Sequence, residues 1–400
     1  MDASQSDGRN RRVRLLIYAH YFVPSVGGVE TVVLALAAGL TTHETGYEVI
    51  VVTQTRRGEH DDDSLPYQVV RCPSWLRLWR LIQKVDVVHA AGTAIGPVVL
   101  GLLARKPVVV EHHGFQAICP NGQLLQQPQD MPCPGHFMAG NHAACLRCSP
   151  RRAGWTTFRL WLFTFVRRWL CRQVAVNLVP TGWLGGLLRL PRTEIVHHGV
   201  ITPQALPEPA AHEAACVLFI GRLVKPKGVH ILLQAVQSLH ERGMRFQTCI
   251  VGDGPERALL EERMRSDESG AVVRFLGKLA EADLPEVLRQ ACVLVVPSLG
   301  GEVFGMVVLE NMARGIPVIA SDIGAFQEVM GDAGVSFQTG DADDLARHLA
   351  AVLNDRDLSA RLAESSARRA SEFTLRRMVD EHACIYCRLA DGRPQEMSHA

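Results

Sequence analysis

The chain lacks an apolar run of about 20 residues, the length that a helix needs to cross a bilayer. We therefore expect no membrane-spanning segment. Residues 1–12 are polar and have no apolar secretory core, so we expect a disordered start rather than a leader. An excess of one charge sign is also missing. The formal net charge of +1 gives no global attraction to nucleic acid, so we expect no nucleic-acid partner.

The cysteine content does not suggest a disulfide framework. Eleven cysteines is an odd number, and most of them stand singly within apolar runs. This usage fits a reducing cytosol better than an oxidising compartment. We therefore expect a cytoplasmic protein.

Short apolar runs alternate with helical patterns along the chain, and 47% hydrophobic residues support large buried cores. The predicted strands are Val13–Tyr18, Val49–Thr53, Val85–His89, Val108–Val110, Ala175–Val179, Cys216–Ile220, Thr248–Val251, Val272–Leu276, Val293–Val296 and Pro317–Ala320. Helical patterns such as Glu30–Leu40 and Ile95–Ala104 lie between them. The alternation predicts an α/β protein with two Rossmann-like, doubly wound parallel-sheet domains. Since ligands bind beyond the carboxyl ends of parallel strands, we expect the two sheets to face each other across a cleft.

A domain boundary is predicted within residues 201–212, where Pro203, Pro207 and Pro209 interrupt the chain. The predicted parts are an N-terminal domain at 13–202, with a cysteine-rich insert at 119–148, a C-terminal domain at 203–373, and a closing helix at 374–392.

The most informative stretch is Glu302–Glu310, which places two carboxylates eight positions apart with Gly305 between them. It follows the predicted buried strand Val293–Val296 and leads into a predicted helix, Met306–Arg314. A helix start offers backbone N–H groups to an anion, and carboxylates accept hydrogen bonds from hydroxyls. A ligand with phosphates and hydroxyls, such as a nucleotide sugar, would use both.

A basic turn follows the predicted strand Cys216–Ile220 and contains Arg222, Lys225 and Lys227 before Gly228. In a cleft these cations would neutralise a diphosphate, and Arg222 could bind it through a bidentate fork. A solvated basic turn is the alternative. The position at a strand end favours the functional interpretation.

Two glycine motifs also follow predicted strands. Gly27 and Gly28 precede a long helix and would let backbone approach a phosphate or sugar closely. Gly252 and Gly254 flank Asp253 and could pass close to a nucleobase. A plain tight turn explains either motif as well.

A pair of histidines, His112 and His113, follows Glu111 at the end of the predicted strand Val108–Val110. An imidazole at a strand end could reach a sugar hydroxyl or a leaving phosphate. A lone histidine is more often structural.

These motifs, in this order, resemble the GT-B fold glycosyltransferases of family 4, also described as glycosyl transferases group 1. The resemblance covers about residues 13–390. It implies a retaining hexosyltransferase that moves a sugar from a UDP- or GDP-linked donor to a glycan or lipid-linked acceptor in polysaccharide or glycolipid biosynthesis. It further implies an acceptor-side N-terminal domain, a nucleotide-sugar-binding C-terminal domain, and no required cofactor.

The resemblance also implies residue roles. Arg222 and Lys227 would hold the diphosphate, and Glu310 would accept hydrogen bonds from the ribose. The implied catalytic residues are His113 and Glu302, and the implied donor-binding residues are Gly28, Arg222, Lys227, Gly252, Phe304, Gly305, Met306, Val307 and Glu310. Departures from the family pattern are Gly114, where an acidic residue is usual, and His198, where asparagine is frequent. A nucleotide-sugar epimerase on the same scaffold, or a nucleotide-sugar-binding protein without transfer activity, remains an alternative.

The insert contains Cys119, Cys133, Cys145 and Cys148. Cys145 and Cys148 have the spacing of a zinc half-site, and we hypothesise a structural zinc ion held by these four residues. Unliganded or redox-paired thiols are the alternative.

An aromatic segment, residues 155–165, is flanked by arginines, and Trp75–Arg80 repeats this composition on a smaller scale. The segment is typical of an interfacial helix, so we hypothesise peripheral contact with an anionic membrane surface at the cytosolic leaflet. Two buried helices with snorkelling arginines are the alternative.

Overall fold

The computed structural model describes residues 12–25, 27–58, 60–127, 129–148, 154–201, 216–265, 273–280 and 283–392. The expected disordered start and nearly all of the predicted boundary at 201–212 lie outside these ranges. The chain forms two compact units. The first comprises the chain up to Ile118, Trp161–Gly199 and the chain from Leu375, and the second comprises Cys119–Leu160 and Val200–Thr374.

The helices and strands alternate throughout both halves of the chain. In the first half they are β1 (Val13–Ala19), α1 (Gly28–Thr42), β2 (Tyr47–Thr53), β3 (Gln68–Arg71), α2 (Trp75–Lys84), β4 (Val87–Ala91), α3 (Ile95–Leu103), β5 (Val108–Glu111), β6 (Leu125–Gln126), β7 (Met131–Pro132), α4 (His142–Arg147), α5 (Gly154–Cys171), β8 (Val176–Val179), α6 (Gly182–Leu188) and β9 (Thr193–Ile195). In the second half they are β10 (Cys216–Ile220), α7 (Val229–Glu241), β11 (Gln247–Val251), α8 (Arg257–Arg265), β12 (Val273–Gly277), α9 (Leu284–Gln290), β13 (Val293–Val296), α10 (Met306–Met312), β14 (Val318–Ser321), α11 (Gly324–Met330), β15 (Val335–Phe337), α12 (Ala342–Asn354), α13 (Arg356–Ala370) and α14 (Leu375–Ala390).

The first unit is built on a seven-stranded parallel sheet with strand order β3-β2-β1-β4-β5-β8-β9. Its inner strands β1, β4, β5 and β8 are mostly apolar and buried, as is typical of a parallel sheet. The last helix, α14, packs on α1 of this unit. Gly39 makes the close approach possible, since a Cβ there would lie 2.5 Å from Val379 Cγ2. Tyr47 Oη anchors the same helix by donating a hydrogen bond to the carbonyl of Ala383, at 2.8 Å.

The second unit is built on a six-stranded parallel sheet with order β12-β11-β10-β13-β14-β15. Helices α7 and α12 pack on one face around an apolar core that includes Leu232 and Leu345. Helices α10 and α11 pack in a second core with Leu309 and Phe326. The prediction of two Rossmann-like parallel-sheet units is therefore confirmed.

The cysteine-rich segment differs from its predicted place. The sequence put it in the N-terminal domain, but the structure groups Cys119–Leu160 with the second unit. Two contacts explain this grouping. Leu125 is fully buried in the core around α7, and Asp130 pairs with Lys225 at 2.8 Å.

Candidate active site

The strand order of the second sheet reverses beside β10, which lies between β11 and β13. The loops that follow these three strands therefore leave the same edge of the sheet next to one another. Such a switch point is where open α/β sheets bind their ligands. The basic turn, the glycine motif after β11 and the Glu302–Glu310 stretch all start there.

Glycines allow these loops to touch through their backbones. Gly228 has φ +64°, and a Cβ on it would lie 1.8 Å from the carbonyl oxygen of Pro297. Gly252 has φ +132°, and a Cβ on it would lie 1.9 Å from the carbonyl oxygen of Gly221. No side chain fits at either position without moving the backbone. Loop packing thus explains why position 252 requires glycine. The predicted contact of Gly252 with the donor stays a prediction.

An ion pair joins two of the loops. Lys227 Nζ lies 2.6 Å from Glu302 Oε1, and the Ser298 hydroxyl donates to the same oxygen at 2.8 Å. The pair is partly open to solvent, with the Lys227 side chain 27% and the Glu302 side chain 11% exposed. Arg222 is exposed, and its guanidinium has no hydrogen-bond or ion-pair partner among the described residues. The edge therefore presents one paired and one unpaired cation to a ligand.

The turn into α10 adopts the predicted form. Gly305 has φ +100°, and a Cβ there would meet the Phe326 ring at 2.7 Å. Met306 and Val307 form the first turn of α10, where backbone N–H groups have no partner within the helix. The Phe304 ring is buried against Phe373, with ring centroids 6.0 Å apart. The Phe304 side chain therefore supports the turn, and the predicted contact of the Phe304 backbone with the donor stays a prediction.

Glu310 is half-buried on α10, and its carboxylate has no hydrogen-bond or ion-pair partner among the described residues. Burial raises its pKa, and the nearby Arg314 opposes that shift. A half-buried carboxylate without donors gains stability when a ligand supplies them. This geometry suits the predicted contact with ribose hydroxyls.

In the first unit, β5 ends at Glu111, which is 1% exposed and surrounded by imidazoles. The shortest nitrogen-to-oxygen distances to its carboxylate are 3.1 Å from His89, 3.2 Å from His113, 3.6 Å from His198 and 3.8 Å from His382. We call Glu111 with these four residues the histidine cluster. Three of its ligating atoms, on Glu111, His113 and His198, all lie within 4.8 Å of one another.

The electrostatics of the histidine cluster favour an ionised carboxylate. Burial disfavours the charge on Glu111, but His113 and His89 outweigh it and hold the pKa of Glu111 well below its usual range. Burial lowers the pKa of His198 to about 3, and it also lowers the pKa of His382. Glu111 therefore carries a negative charge in a place that water does not reach.

The two adjacent histidines after β5 have different surroundings. His112 is fully buried and bonds to Asn177 Oδ1 at 3.0 Å, and burial lowers its pKa to about 4. The His113 side chain is 6% exposed and stacks on His198, with ring centroids 5.3 Å apart. Of the pair, His113 alone has an exposed fraction above zero, and its functional role stays a prediction.

Sequence reasoning missed most of the histidine cluster. His89 interrupts the apolar strand β4, and Glu111 is a charged residue at the end of a buried strand. Both were signals of a buried polar network. His382 and Tyr386 gave no such signal, because each sits at an ordinary position of an amphipathic helix. Tyr386 Oη bonds to His89 Nδ1 at 2.8 Å.

The predicted glycine pair lies at the start of α1. Gly27 has an extended backbone with φ −178°, so any residue could adopt its conformation. Gly28 is exposed in the first turn of the helix. Nearby, the Ser25 hydroxyl donates to Glu30 Oε1 at 2.9 Å. Gly28 and His113 thus belong to the first unit, whereas the other predicted site residues belong to the second.

The four cysteines of the predicted zinc site line one cavity of about 20 Å³, together with Asn121 and His136. Burial and the neighbouring thiols raise the pKa of Cys145 to about 12. Within the described residues, however, the cysteine sulfurs do not form a set of three within 4.8 Å. The cysteine zinc site stays a prediction.

Comparisons with known proteins match almost the whole chain. The family model described as Glycosyltransferase Family 4 matches residues 26–203, and that described as Glycosyl transferases group 1 matches residues 205–369. A phosphatidyl-myo-inositol mannosyltransferase of Mycolicibacterium smegmatis is 38% identical over 164 residues, which are 40% of this chain and 42% of that protein. The match thus spans about two fifths of that curated relative.

Solved structures share the fold over nearly the full length. Sucrose-phosphate synthase from Thermosynechococcus elongatus has a TM-score of 0.74 and 18% identity, covering 95% of this chain and all of that one. Anabaena HepE in complex with UDP has a TM-score of 0.68 and 17% identity, covering 94% of this chain and all of that one. Together with the family models, they show that this chain belongs to the GT-B fold glycosyltransferases of family 4.

Proposed function

We propose that the protein transfers a sugar, with retention of configuration, from a UDP- or GDP-linked donor to a glycan or lipid-linked acceptor. The observation that carries this proposal is the pair of cations at the switch point of the second sheet. Lys227 lies 2.6 Å from Glu302, and Arg222 is exposed and unpaired among the described residues. An anionic ligand with two phosphates supplies the charge that this edge lacks.

The cations act on the leaving group. As the glycosidic bond breaks, negative charge grows on the phosphate oxygen, and Arg222 and Lys227 stabilise it. Lys227 is already held by Glu302, so its ammonium group needs little reorganisation when the diphosphate binds. Pre-oriented charges of this kind accelerate a reaction more than mobile ones.

The remaining residues position the donor. Glu310 accepts hydrogen bonds from the ribose, and the backbone of Phe304 to Val307 binds the phosphates and sugar. Glu302 lies near the transferred sugar and keeps Lys227 in place. His113 keeps its predicted role toward the donor sugar. Its Nε2 faces Glu111, so Nδ1 is the atom left for a substrate.

The relatives support the proposed substrate classes. The Anabaena structure contains UDP, and the mycobacterial relative is named for mannosyl transfer to an inositol lipid. Polysaccharide or glycolipid biosynthesis is the setting in which such donors and acceptors meet.

A panel of labelled nucleotide sugars tests the proposal. The panel varies the base and the sugar, and is incubated with glycan and lipid-linked acceptors. Transfer or slow hydrolysis of one donor supports a glycosyltransferase, and NMR of the product anomer tests retention. Interconversion of sugars without transfer would instead identify an epimerase. Binding without turnover of any donor would identify a silent nucleotide-sugar-binding protein.

The acceptor class is supported by an exposed apolar stripe on α5, formed by Trp155, Phe158, Leu162, Phe165 and Trp169. These side chains are 71%, 40%, 46%, 39% and 59% exposed, and they recur every three or four residues. The alternative interpretation placed the aromatic residues of α5 in a buried helix. These exposed side chains do not fit that interpretation. Within the described residues, no helix combines the length and apolarity needed to cross a bilayer.

We propose that this stripe rests on an anionic membrane surface at the cytosolic face, where a lipid-linked acceptor resides. Arg159 is exposed on the same helix and adds attraction to anionic headgroups. Trp75 and Leu76 of α2 are also exposed, at 67% and 58%.

Sedimentation with vesicles tests the membrane contact. The wild type should pellet with anionic vesicles at low salt and less with neutral vesicles. Replacing Trp155 and Trp169 by serine should reduce pelleting about tenfold, since buried aromatic area contributes to interfacial binding. Leu259→Ser removes an apolar side chain that is 61% exposed on α8, and it is the matched control. Equal pelleting of all three proteins would contradict the assignment of the stripe.

A further inference from the structure

The histidine cluster contains a buried charge without a fixed counter-charge. Glu111 is 1% exposed, and every ion-pair distance to it within the described residues comes from a histidine. No described lysine or arginine lies within ion-pair distance of its carboxylate. A buried carboxylate is strongly disfavoured unless a cation or a metal ion compensates it.

The directions of the side chains matter as much as the distances. His89, His113 and His382 each place Nε2 between 3.1 and 3.8 Å from a Glu111 oxygen. These nitrogen atoms and both carboxylate oxygens are nevertheless buried without a hydrogen-bond partner. The ring nitrogens therefore converge on the carboxylate at close range, in positions that do not complete a well-aligned hydrogen bond to either oxygen. Ligands that share a metal ion have this arrangement, because each lone pair points at the metal rather than at the neighbouring ligand.

The outer contacts of the cluster also match those of metal ligands. His382 Nδ1 donates a hydrogen bond to the carbonyl of Met378 at 2.8 Å. In the neutral ring, this bond leaves the lone pair of Nε2 directed toward Glu111. Metal-bound histidines almost always donate their second nitrogen to a carbonyl or carboxylate in this way. The ring of His89 is held by a hydrogen bond between its Nδ1 and Tyr386 Oη, at 2.8 Å.

We propose that Glu111, His113, His198 and His382 bind a divalent metal ion of the zinc class in the first unit. Three imidazoles and one carboxylate are a donor set that zinc accepts in tetrahedral sites. The ligating atoms of Glu111, His113 and His198 already lie within 4.8 Å of one another. His89 and Tyr386 orient the carboxylate from outside the ligand set.

The metal ion would have a structural role. It links β5, the segment that carries His198, and α14, which are far apart in the sequence but belong to one unit. It also fixes the ring of His113 through Nε2. The inference does not depend on glycosyl transfer, because its readout is metal content.

Metal analysis of the purified full-length protein tests the site. Cells are grown with added zinc, and the protein is purified without chelator. We expect about one zinc per chain in the wild type. His382→Gln removes one ligand and should weaken zinc binding at least tenfold in a competition titration with a chromophoric chelator. Zinc-free wild type, with no rise in melting temperature on adding zinc, overturns the proposal.

The four cysteines provide the matched control, because the sequence predicts them to be a zinc site. In the double variant Cys145→Ser/Cys148→Ser, zinc at the histidine cluster should persist at one per chain. Loss of the zinc in this variant, with retention in His382→Gln, would overturn the proposal and favour the cysteine site.

Cobalt substitution gives a readout that needs no variant. Cobalt bound by nitrogen and oxygen shows d–d bands without thiolate charge-transfer absorption. A strong thiolate charge-transfer band with no nitrogen-bound species would contradict the assignment. This measurement keeps the proposal testable if His382→Gln fails to fold.

Discussion

The two strand-end clusters of the molecule hold their charges in different ways. In the second unit, Lys227 and Glu302 form a pair that is partly exposed, and Arg222 is left unpaired among the described residues. In the first unit, Glu111 is closed off from water by four imidazoles. The cluster of the second unit leaves its charges accessible to a ligand. In the histidine cluster, the charge of Glu111 interacts only with buried side chains of the described residues.

This difference separates residues that are open to a ligand from residues that stabilise the fold. A ligand can compete for Lys227, since a partly exposed ion pair has a small net stability. A sugar or nucleotide cannot compete for Glu111 without opening the core, because its side chain is 1% exposed. Substitution of Glu111 should therefore act on stability, and substitution of Lys227 or Arg222 on turnover. Four predictions follow this distinction, from the largest expected effect to the smallest.

Lys227→Ala should lower kcat/KM for the donor by about 100- to 1000-fold, the usual loss when one charge-stabilising donor is removed from an active site. Lys225→Ala is the matched control. Lys225 lies on the same turn but is paired with Asp130, at 2.8 Å. Steady-state kinetics should show a change of only a few-fold for the control. Equal losses in both variants would mean that general positive charge, rather than Lys227, serves the donor.

Glu111→Gln should lower the free energy of unfolding by about 3 kcal/mol or more, because the buried imidazoles around the carboxylate lose the charged partner that they surround. Asp86→Asn is the comparison, since Asp86 pairs with Arg14 in the same unit, where the Arg14 side chain is 40% exposed. That loss should stay below about 1 kcal/mol. Urea unfolding, monitored by hydrogen exchange of the β5 amides, measures the free energy of unfolding of both variants. Similar values for the two variants would contradict the compensated buried charge.

Glu310→Gln should reduce donor affinity about tenfold, because a charged acceptor is replaced by a neutral one. Donors that lack a ribose hydroxyl sharpen the test. The wild type should discriminate against them, and Glu310→Gln should discriminate much less. Undiminished discrimination in the variant would place the ribose elsewhere.

The pH dependence of donor binding should show a smaller, related effect. Burial raises the pKa of Glu310 above its ordinary value of 4.5, and the ionised form accepts the ribose hydrogen bonds. Donor affinity should therefore fall as pH decreases through the raised pKa. The same shift has the opposite sign for folding: the group favours the folded state below 4.5 and loses that contribution as pH rises through the raised pKa.

Titration of donor affinity from pH 7.5 to 4.5 measures this dependence. Glu310→Gln should flatten the profile, and Glu256→Gln serves as a control on a loop of the same unit. A profile that keeps its shape in Glu310→Gln would assign the titration to another group.

Much of the fold was predictable because buried strands have continuous apolar runs. Strands β10 and β13 were predicted residue for residue. Strands β3, β9 and β15 were missed, and all three lie at sheet edges. Edge strands have one neighbour and need fewer apolar residues, so their short sequences contain no apolar run.

The candidate sites were predictable to different degrees for a related reason. The residues of the second unit's site follow strands directly, and position at a strand end indicates function without knowledge of side-chain contacts. The histidine cluster combines residues from β4, β5, the segment before β10 and α14. Their proximity arises from tertiary packing, which sequence spacing does not report.

The contact between Gly228 and the carbonyl of Pro297 limits how this protein can be redesigned. Since even a methyl group at Gly228 or Gly252 would displace a neighbouring backbone, these loops have no room for variation at their points of contact. Libraries that aim to change donor choice should leave both glycines untouched. Diversity belongs at exposed side chains of the same edge rather than at Met306 and Val307, which pack against the core.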